Sequence, residues 1–108
     1  MDEAAGNRVK LKFAQRSLRE IERGKREWLA RRDKSPGLFE EELAEAFETI
    51  KTAPAFGSPT EIMSRGKVVR RVEMLKTKCQ VYYRQDTLEL VHIMSVWSGQ
   101  RGKKPKLQ

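Results

Sequence analysis

The sequence has very few of the residues that metal, redox and disulfide sites require. Among 108 residues there is one cysteine, Cys79, and one histidine, His92. One thiol excludes an internal disulfide, and a reducing, cytoplasmic location is expected. One cysteine and one histidine cannot supply the ligands of an ordinary protein zinc site, so no metal and no other cofactor is predicted.

Long apolar runs and nucleotide-binding loops are also missing. No stretch approaches the roughly 20 apolar residues of a membrane helix, so no membrane association is predicted. Residues 1–7 lack the basic and apolar regions of a secretory signal. The pair Gly66-Lys67 lacks the glycine spacing of a phosphate-binding loop.

Positive charge is abundant, and it is unevenly distributed. Residues 1–60 hold 12 Lys/Arg against 11 Asp/Glu, whereas residues 61–108 hold 11 against 4, within a formal net charge of +8. Such asymmetry indicates a surface that binds phosphate groups or an acidic protein. The alternative is a solvated basic face that only keeps the protein soluble.

The first half shows one strand pattern and two helix patterns. Residues 8–13 alternate between basic and apolar side chains, which predicts a half-buried strand. Helical spacing follows from Ala14 to about Arg32, with Leu18, Ile21, Trp28 and Leu29 as its apolar stripe. A break at 33–37 precedes a second, acidic helix that ends by 52–54. The short break predicts an antiparallel helical hairpin.

The second half predicts a loop at 53–66 and strands at 67–75, 79–84 and 88–97, joined by short connections. In the last strand, alternation places Leu88, Leu90, His92, Met94 and Val96 on one face, and Val91, Ile93 and Trp97 on the other. The predicted fold class is α+β: an N-terminal strand, an antiparallel helical hairpin, then a three-stranded antiparallel meander (β-α-α-β-β-β). A single domain is expected over 1–108, with flexible tails at 1–7 and 102–108.

Cations and aromatic residues on the predicted sheet and tail are the candidate binding residues. Arginine pairs with phosphates and carboxylates through two-point hydrogen bonds, and aromatic rings add stacking or hot-spot contacts. The set comprises Arg70, Arg71, Lys76, Lys78, Arg84, Trp97, Arg101, Lys103 and Lys104. Core packing is favoured for Tyr83 and also for the Trp97 ring, and structural roles are expected for His92 and Cys79.

The stretch from Val69 to Arg84, which contains Val81-Tyr82-Tyr83-Arg84, resembles the middle strands of the RelE/ParE superfamily of type II toxins. The continuation from Leu88 to Arg101 resembles that family's last strand and following arginine. The resemblance spans about residues 8–107. It implies a growth-arresting toxin, of the kind linked to plasmid stabilisation, that a cognate antitoxin holds inactive over the sheet and the helical hairpin. Higher-order toxin–antitoxin assemblies are then expected.

Two activities are known in that family, and the resemblance leaves both open. RelE-like members cut mRNA on the ribosome, for which Arg71, Lys78, Tyr82 and Arg101 are the candidate catalytic residues here. ParE-like members poison DNA gyrase without catalysis. After Trp97 the chain has neither tyrosine nor histidine, so an acid/base group is missing there and the ParE-like branch is favoured. A non-catalytic nucleic-acid-binding module is a third hypothesis.

Overall fold

The computed structural model describes residues 8–31, 35–99 and 105–107. Five strands and two helices lie within these ranges. In chain order they are β1 (Lys10–Phe13), α1 (Gln15–Arg31), α2 (Leu38–Thr52), β2 (Ser58–Ser64), β3 (Lys67–Met74), β4 (Cys79–Thr87) and β5 (Leu90–Ser98). No helix among the described residues is both long enough and apolar enough to span a membrane.

The strands form one five-stranded sheet in the order β1-β5-β4-β3-β2. Strands β2 to β5 pair antiparallel in sequence order, whereas β1 pairs parallel with β5, from Lys10 opposite Leu90 to Phe13 opposite Ile93. A parallel pair needs a long crossover, and the two helices belong to that connection. The predicted α+β fold is confirmed, with a mixed sheet.

Strand β2 lies where the sequence predicts only a loop. Its sequence contains Pro59 and no regular alternation, so local preference for a strand is weak. Pairing with β3 supplies the stability, with Ser58 opposite Arg71 and Ser64 opposite Lys67. The tight turn between them has positive φ at both Arg65 (52°) and Gly66 (77°), as two-residue hairpin turns require.

The two helices cover one face of the sheet. From α2, Phe39, Leu43, Ala46 and Ile50 are buried against a cluster of strand side chains. The strand members of this cluster are Val72, Met74, Val81, Tyr83, Val91, Ile93 and Val96. The opposite side, which we call the open face, carries a smaller apolar cluster formed by Val69, Tyr82, Met94 and Leu107, with Ile62 and Trp97 beside it.

Helix α1 buries fewer of its apolar side chains than its sequence pattern predicts. Leu18 is 46% exposed and Leu29 is 54% exposed, so neither belongs to the core. The predicted apolar stripe is therefore wrong at these two positions. Ser17, which is fully buried, and Ile21, Gly24 and Trp28 lie three or four residues apart on the inner side.

A bulge in β5 changes which side chains face the helices. Tyr82 pairs with Ser95 and Tyr83 pairs with Ile93, which leaves Met94 as an extra residue. Val96 therefore packs on the helix side and Trp97 on the open-face side, opposite to the prediction from alternation. One extra residue inverts the alternation because side chains repeat every two residues.

Helix α1 supports the bulged end of β5. Beyond Ile93 this strand has no pairing with β1, and the Glu20 carboxylate accepts hydrogen bonds there instead. Its Oε1 accepts from Ser95 Oγ at 2.8 Å and from the Val96 backbone N–H at 2.9 Å. A carboxylate of α1 thus satisfies a backbone donor that a longer β1 would have paired.

The segment 105–107 lies within the predicted flexible tail, yet it packs against the sheet. Leu107 is only 6% exposed, within the open-face cluster, and Pro105 is also buried. Leucine carries the apolar side chain of this otherwise polar tail, and its burial brings the chain back to the sheet. The rest of the predicted tails, residues 1–7, 102–104 and 108, lies outside the described residues.

Replacing Gly24 by alanine should destabilise the fold, although alanine favours helices. A Cβ at this position would lie 2.5 Å from Cζ of the Phe39 ring, which is itself buried. Overpacking costs about 1–3 kcal/mol, more than the roughly 1 kcal/mol that alanine gains in a helix. We expect Gly24→Ala to lower the free energy of unfolding, measured by urea titration.

The matched control is Gly37→Ala. There the nearest atom to a new Cβ is Glu41 Oε2 at 3.7 Å, an ordinary contact, so we expect only a small change. Equal stability of Gly24→Ala and wild type would show that Phe39 does not need the glycine.

Candidate partner-binding surface

The candidate cations do not form one cluster. Arg71 and Arg84 project from the open face, and Arg70 lies on the helix side beside Tyr83. Lys76 and Lys78 occupy the turn between β3 and β4. Arg101, Lys103 and Lys104 lie outside the described residues. Antiparallel pairing thus brings only some of the predicted residues together, because neighbouring positions on one strand face opposite sides.

Arg84 is the centre of a buried polar network on the open face. Its side chain is 4% exposed, and it forms an ion pair with Asp86 through two nitrogen atoms. Its Nη1 donates to Ser64 Oγ at 2.7 Å, and its Nη2 lies 3.0 Å from His92 Nδ1. The guanidinium therefore joins β2, β4 and β5. These acceptors compensate the buried charge, so losing one of them would be costly, and few donors of Arg84 remain for a partner.

His92 belongs to this network, and the structural role predicted for it takes a polar form. Because Arg84 can only donate, Nδ1 of His92 must accept, so the ring proton is assigned to Nε2. Burial and the positive charge of Arg84 lower the pKa of His92, with smaller effects from Lys12 and Arg65, against the opposing effect of Asp86. The imidazole is thereby held neutral with its Nδ1 lone pair occupied.

Tyr82 and Arg71 lie opposite each other on β4 and β3. The Tyr82 ring is 1% exposed, and its hydroxyl donates to Gln80 Oε1 at 3.0 Å. Arg71, unlike Tyr82, has a buried donor that is not hydrogen-bonded. Among the residues that the structure describes, its Nε is the one buried side-chain nitrogen or oxygen that lacks a hydrogen-bond partner. An unpaired buried donor is costly, so an acceptor supplied by a partner would be favourable here.

On the helix side, Arg70 and Tyr83 hold the segment that precedes β2. Arg70 Nη1 donates to the Gly57 carbonyl at 2.7 Å. The Tyr83 hydroxyl donates to the Pro54 carbonyl at 2.6 Å and accepts from the Gly57 N–H at 3.0 Å. Burial raises the pKa of Tyr83, which is fully enclosed, so the prediction of a core residue is confirmed.

The basic turn between β3 and β4 is held by an acidic residue of α2. The Glu42 carboxylate accepts from the backbone N–H groups of Lys76 (2.7 Å) and Thr77 (2.9 Å) and from Thr77 Oγ1 at 2.8 Å. Burial acts to raise the pKa of Glu42, but these hydrogen bonds outweigh it, and the pKa is lowered. Lys76 and Lys78 are exposed at this turn, and Lys78 has a positive φ of 64°.

Trp97 and Cys79 lie near the same end of the sheet. Trp97 is half-buried, with the Arg16 guanidinium 5.7 Å from the centre of its ring, a cation–π distance. Burial raises the pKa of the Cys79 thiol, which argues against a reactive thiolate. Cys79 packs against the main core, as predicted.

Sequence reasoning missed several residues that the fold brings together. Ser64, Asp86 and His92 surround Arg84, and Glu42 holds the basic turn. The spacing Arg84-x-Asp86 was a visible signal for an ion pair within one strand. The neighbours on other strands had no such signal, because their positions depend on register shifts in β4 and β5.

Comparisons with known proteins support the fold. No protein-family model matches the chain, and no curated protein matches it. A chain of the chromosomal ParDE toxin–antitoxin (TA) system from P. aeruginosa superposes with a TM-score of 0.65 and 11% identity, over 85% of this chain and 97% of that chain. The two chains share one fold. The fold implied by the RelE/ParE resemblance is thus confirmed, while so low an identity says nothing about activity.

Acid should weaken the folded state through His92. Its folded pKa lies below the ordinary value of 6.5, so the network stabilises the fold fully above about pH 6.5 and loses that stabilisation as pH falls through the folded pKa. An imidazolium has no lone pair for Arg84 and repels it. We expect the urea midpoint to fall between pH 7.5 and 5, with the largest part of that fall due to this residue.

The control is His92→Gln, whose side-chain oxygen still accepts but does not titrate. The chain has no other histidine, so the variant should show a much flatter profile over this range. If both proteins lose stability in parallel, His92 is not the titrating group.

Removing the negative charge of Glu42 should loosen the basic turn. Glu42→Gln keeps one acceptor oxygen but weakens three hydrogen bonds, so we expect a loss of about 1–2 kcal/mol in the free energy of unfolding. Amide exchange at Lys76 and Thr77 should rise at the same time. Glu41→Gln on the exposed side of α2 is the control and should leave these amides unchanged.

Proposed function

We propose that this chain is the toxin of a type II toxin–antitoxin pair and that it arrests growth by binding DNA gyrase, as ParE-like toxins do. Three observations support this: the fold shared with a ParDE toxin–antitoxin protein, the strand sequences from Val69 to Arg84 and from Leu88 onward, and the basic second half. The ParDE likeness carries the most weight, because it covers nearly all of the other chain.

Binding is favoured over RNA cleavage because Tyr82 and His92 are already engaged in hydrogen bonds within the chain. Metal-free RNA cleavage needs a group that removes the proton of the 2′-hydroxyl. Tyr82 is enclosed and donates to Gln80, and His92 uses its Nδ1 lone pair on Arg84. Neither group is arranged as a base. The unpaired donor on Arg71, by contrast, suits an acceptor of a bound partner.

For the antitoxin we propose the groove between β1 and α2. Leu11, Phe13 and Phe47 form its apolar part, with the two phenylalanine rings edge to face at 5.3 Å. Arg8, Lys10 and Lys51 provide a basic rim. Strand β1 is also an edge of the sheet, so it offers backbone groups to an added strand. An acidic segment with apolar side chains matches this groove.

The direct test is growth and gyrase activity. Induced expression of the chain without a partner should stop growth, and micromolar purified protein should inhibit supercoiling by gyrase. The variant Arg71→Met should lose most of this inhibition while its unfolding curve stays close to wild type, since Arg71 has an unsatisfied donor rather than a structural bond. Arg19→Met, at an exposed arginine of α1, is the matched control and should inhibit normally.

The alternative outcomes identify the other activities. Codon-linked cuts in mRNA after induction, with gyrase unaffected, would establish a RelE-like ribosome-dependent endoribonuclease. Tight, salt-sensitive binding to naked DNA or RNA without growth arrest would indicate a nucleic-acid-binding module. Either result contradicts the gyrase proposal.

A further inference from the structure

The C-terminal residues 105–107, called here the strap, fill an apolar patch on the open face. Leu107 packs with Val69, Tyr82 and Met94, and Ile62 and Trp97 border the same patch. These contacts leave Leu107 only 6% exposed, whereas Lys106 between the two buried residues is exposed. The patch is therefore an apolar site that the chain covers with its own end.

Apolar packing and a backbone contact hold the strap. Among the described residues, its polar contact is a hydrogen bond from Arg16 Nη1 to the Lys106 carbonyl at 2.7 Å. Arg16 is itself positioned by Glu20 and by the Trp97 ring. Ordering residues 105–107 costs conformational entropy and opposes the burial of Pro105 and Leu107, so the free energy that holds the strap in place is the difference between two opposing terms.

Beside the strap lies the donor that has no acceptor. Arg71 is paired across the sheet with Tyr82, and Tyr82 contacts the same cluster as Leu107. The strap fills the apolar patch but leaves the Arg71 Nε unpaired. The strap (Pro105-Lys106-Leu107) thus covers the apolar patch but gives Arg71 no acceptor.

We propose that the strap occupies in cis the place where an acidic peptide segment with an aliphatic side chain binds in trans. The aliphatic residue would replace Leu107, and a neighbouring carboxylate would accept from Arg71. Charge favours such a partner, because the strap is basic and the protein carries a net charge of +8. A peptide is favoured over nucleic acid because the side chain that fits the patch is leucine rather than a flat ring.

This inference rests on the proposed function only in taking the partner to be a protein. The strap then regulates access, since a surface that is free for only part of the time binds with proportionally lower apparent affinity. Releasing the strap should raise the affinity for the partner without adding any contact.

The experiment uses the full-length purified chain and a fluorescein-labelled peptide, Gly-Glu-Glu-Pro-Glu-Leu-Gln, which is the chain's own ending with its lysines replaced by glutamates. Fluorescence anisotropy gives the Kd. Leu107→Ser removes the strap's anchor, and we expect it to bind the peptide about tenfold tighter than wild type. Pro105→Ser should also tighten binding, because it removes the other buried side chain of the strap and leaves the residues of the patch unchanged. Arg71→Met should weaken binding at least about tenfold.

Three controls make the result decisive. Leu88→Ser, at a leucine that is 90% exposed, should leave the Kd unchanged. A peptide with serine in place of leucine should bind poorly to every variant. A 12-nucleotide poly(U) probe should not gain affinity when the strap is released.

Several outcomes would overturn the proposal. Equal peptide affinity of wild type, Leu107→Ser and Pro105→Ser would show that the strap does not cover the binding site. Unchanged peptide affinity of Arg71→Met would show that no carboxylate of the peptide contacts Arg71. A gain for poly(U) but not for the peptide would assign the face to nucleic acid. A large fall in urea midpoint for both strap variants would make the strap part of the core. Because no gyrase or growth measurement enters, these results are independent of the test of the proposed function.

Discussion

The bulge at Met94 is the constraint on which much of the structure depends. It inverts the alternation of β5, so that Val96 completes the core under the helices while Trp97 turns toward the open face. It also lies where β1 no longer pairs with β5. Glu20 of α1 accepts the hydrogen bonds of Ser95 and Val96 there, which ties the first helix to the last strand. Without the bulge, neither the helix contact nor the position of Trp97 would be the same.

The two faces of the sheet differ in their polar contacts. The helix side is apolar and closed, and the arginine that lies there, Arg70, holds the segment before β2 through the Gly57 carbonyl. The open face combines a satisfied network around Arg84 with an unsatisfied donor on Arg71. The first holds three strands together, and the second is buried without an acceptor among the described residues. The charge of an arginine on a sheet is therefore not enough to identify it as a binding residue, because its contacts within the chain determine whether any donor is left for a partner.

Physical reasons explain which parts of the fold were predictable. Helical and alternating patterns carry local information, so β1, both helices and the last three strands were expected near their observed positions. Strand β2 was not, because its residues have weak strand preference and it exists through its pairing with β3. For the site, Arg71 and Arg84 were identified from their residue type. His92 was expected to pack, and its bond to Arg84 depends on register, which local patterns do not contain.

The sequence by itself determined the order of elements, the acidic second helix and the excess of positive charge in the second half, because these depend only on residue type and spacing. The tertiary structure alone decided which cations find acceptors within the chain, where the bulge falls and where residues 105–107 pack. Those features depend on pairing between distant segments. A shift of one residue in that pairing moves a side chain to the other face of the sheet.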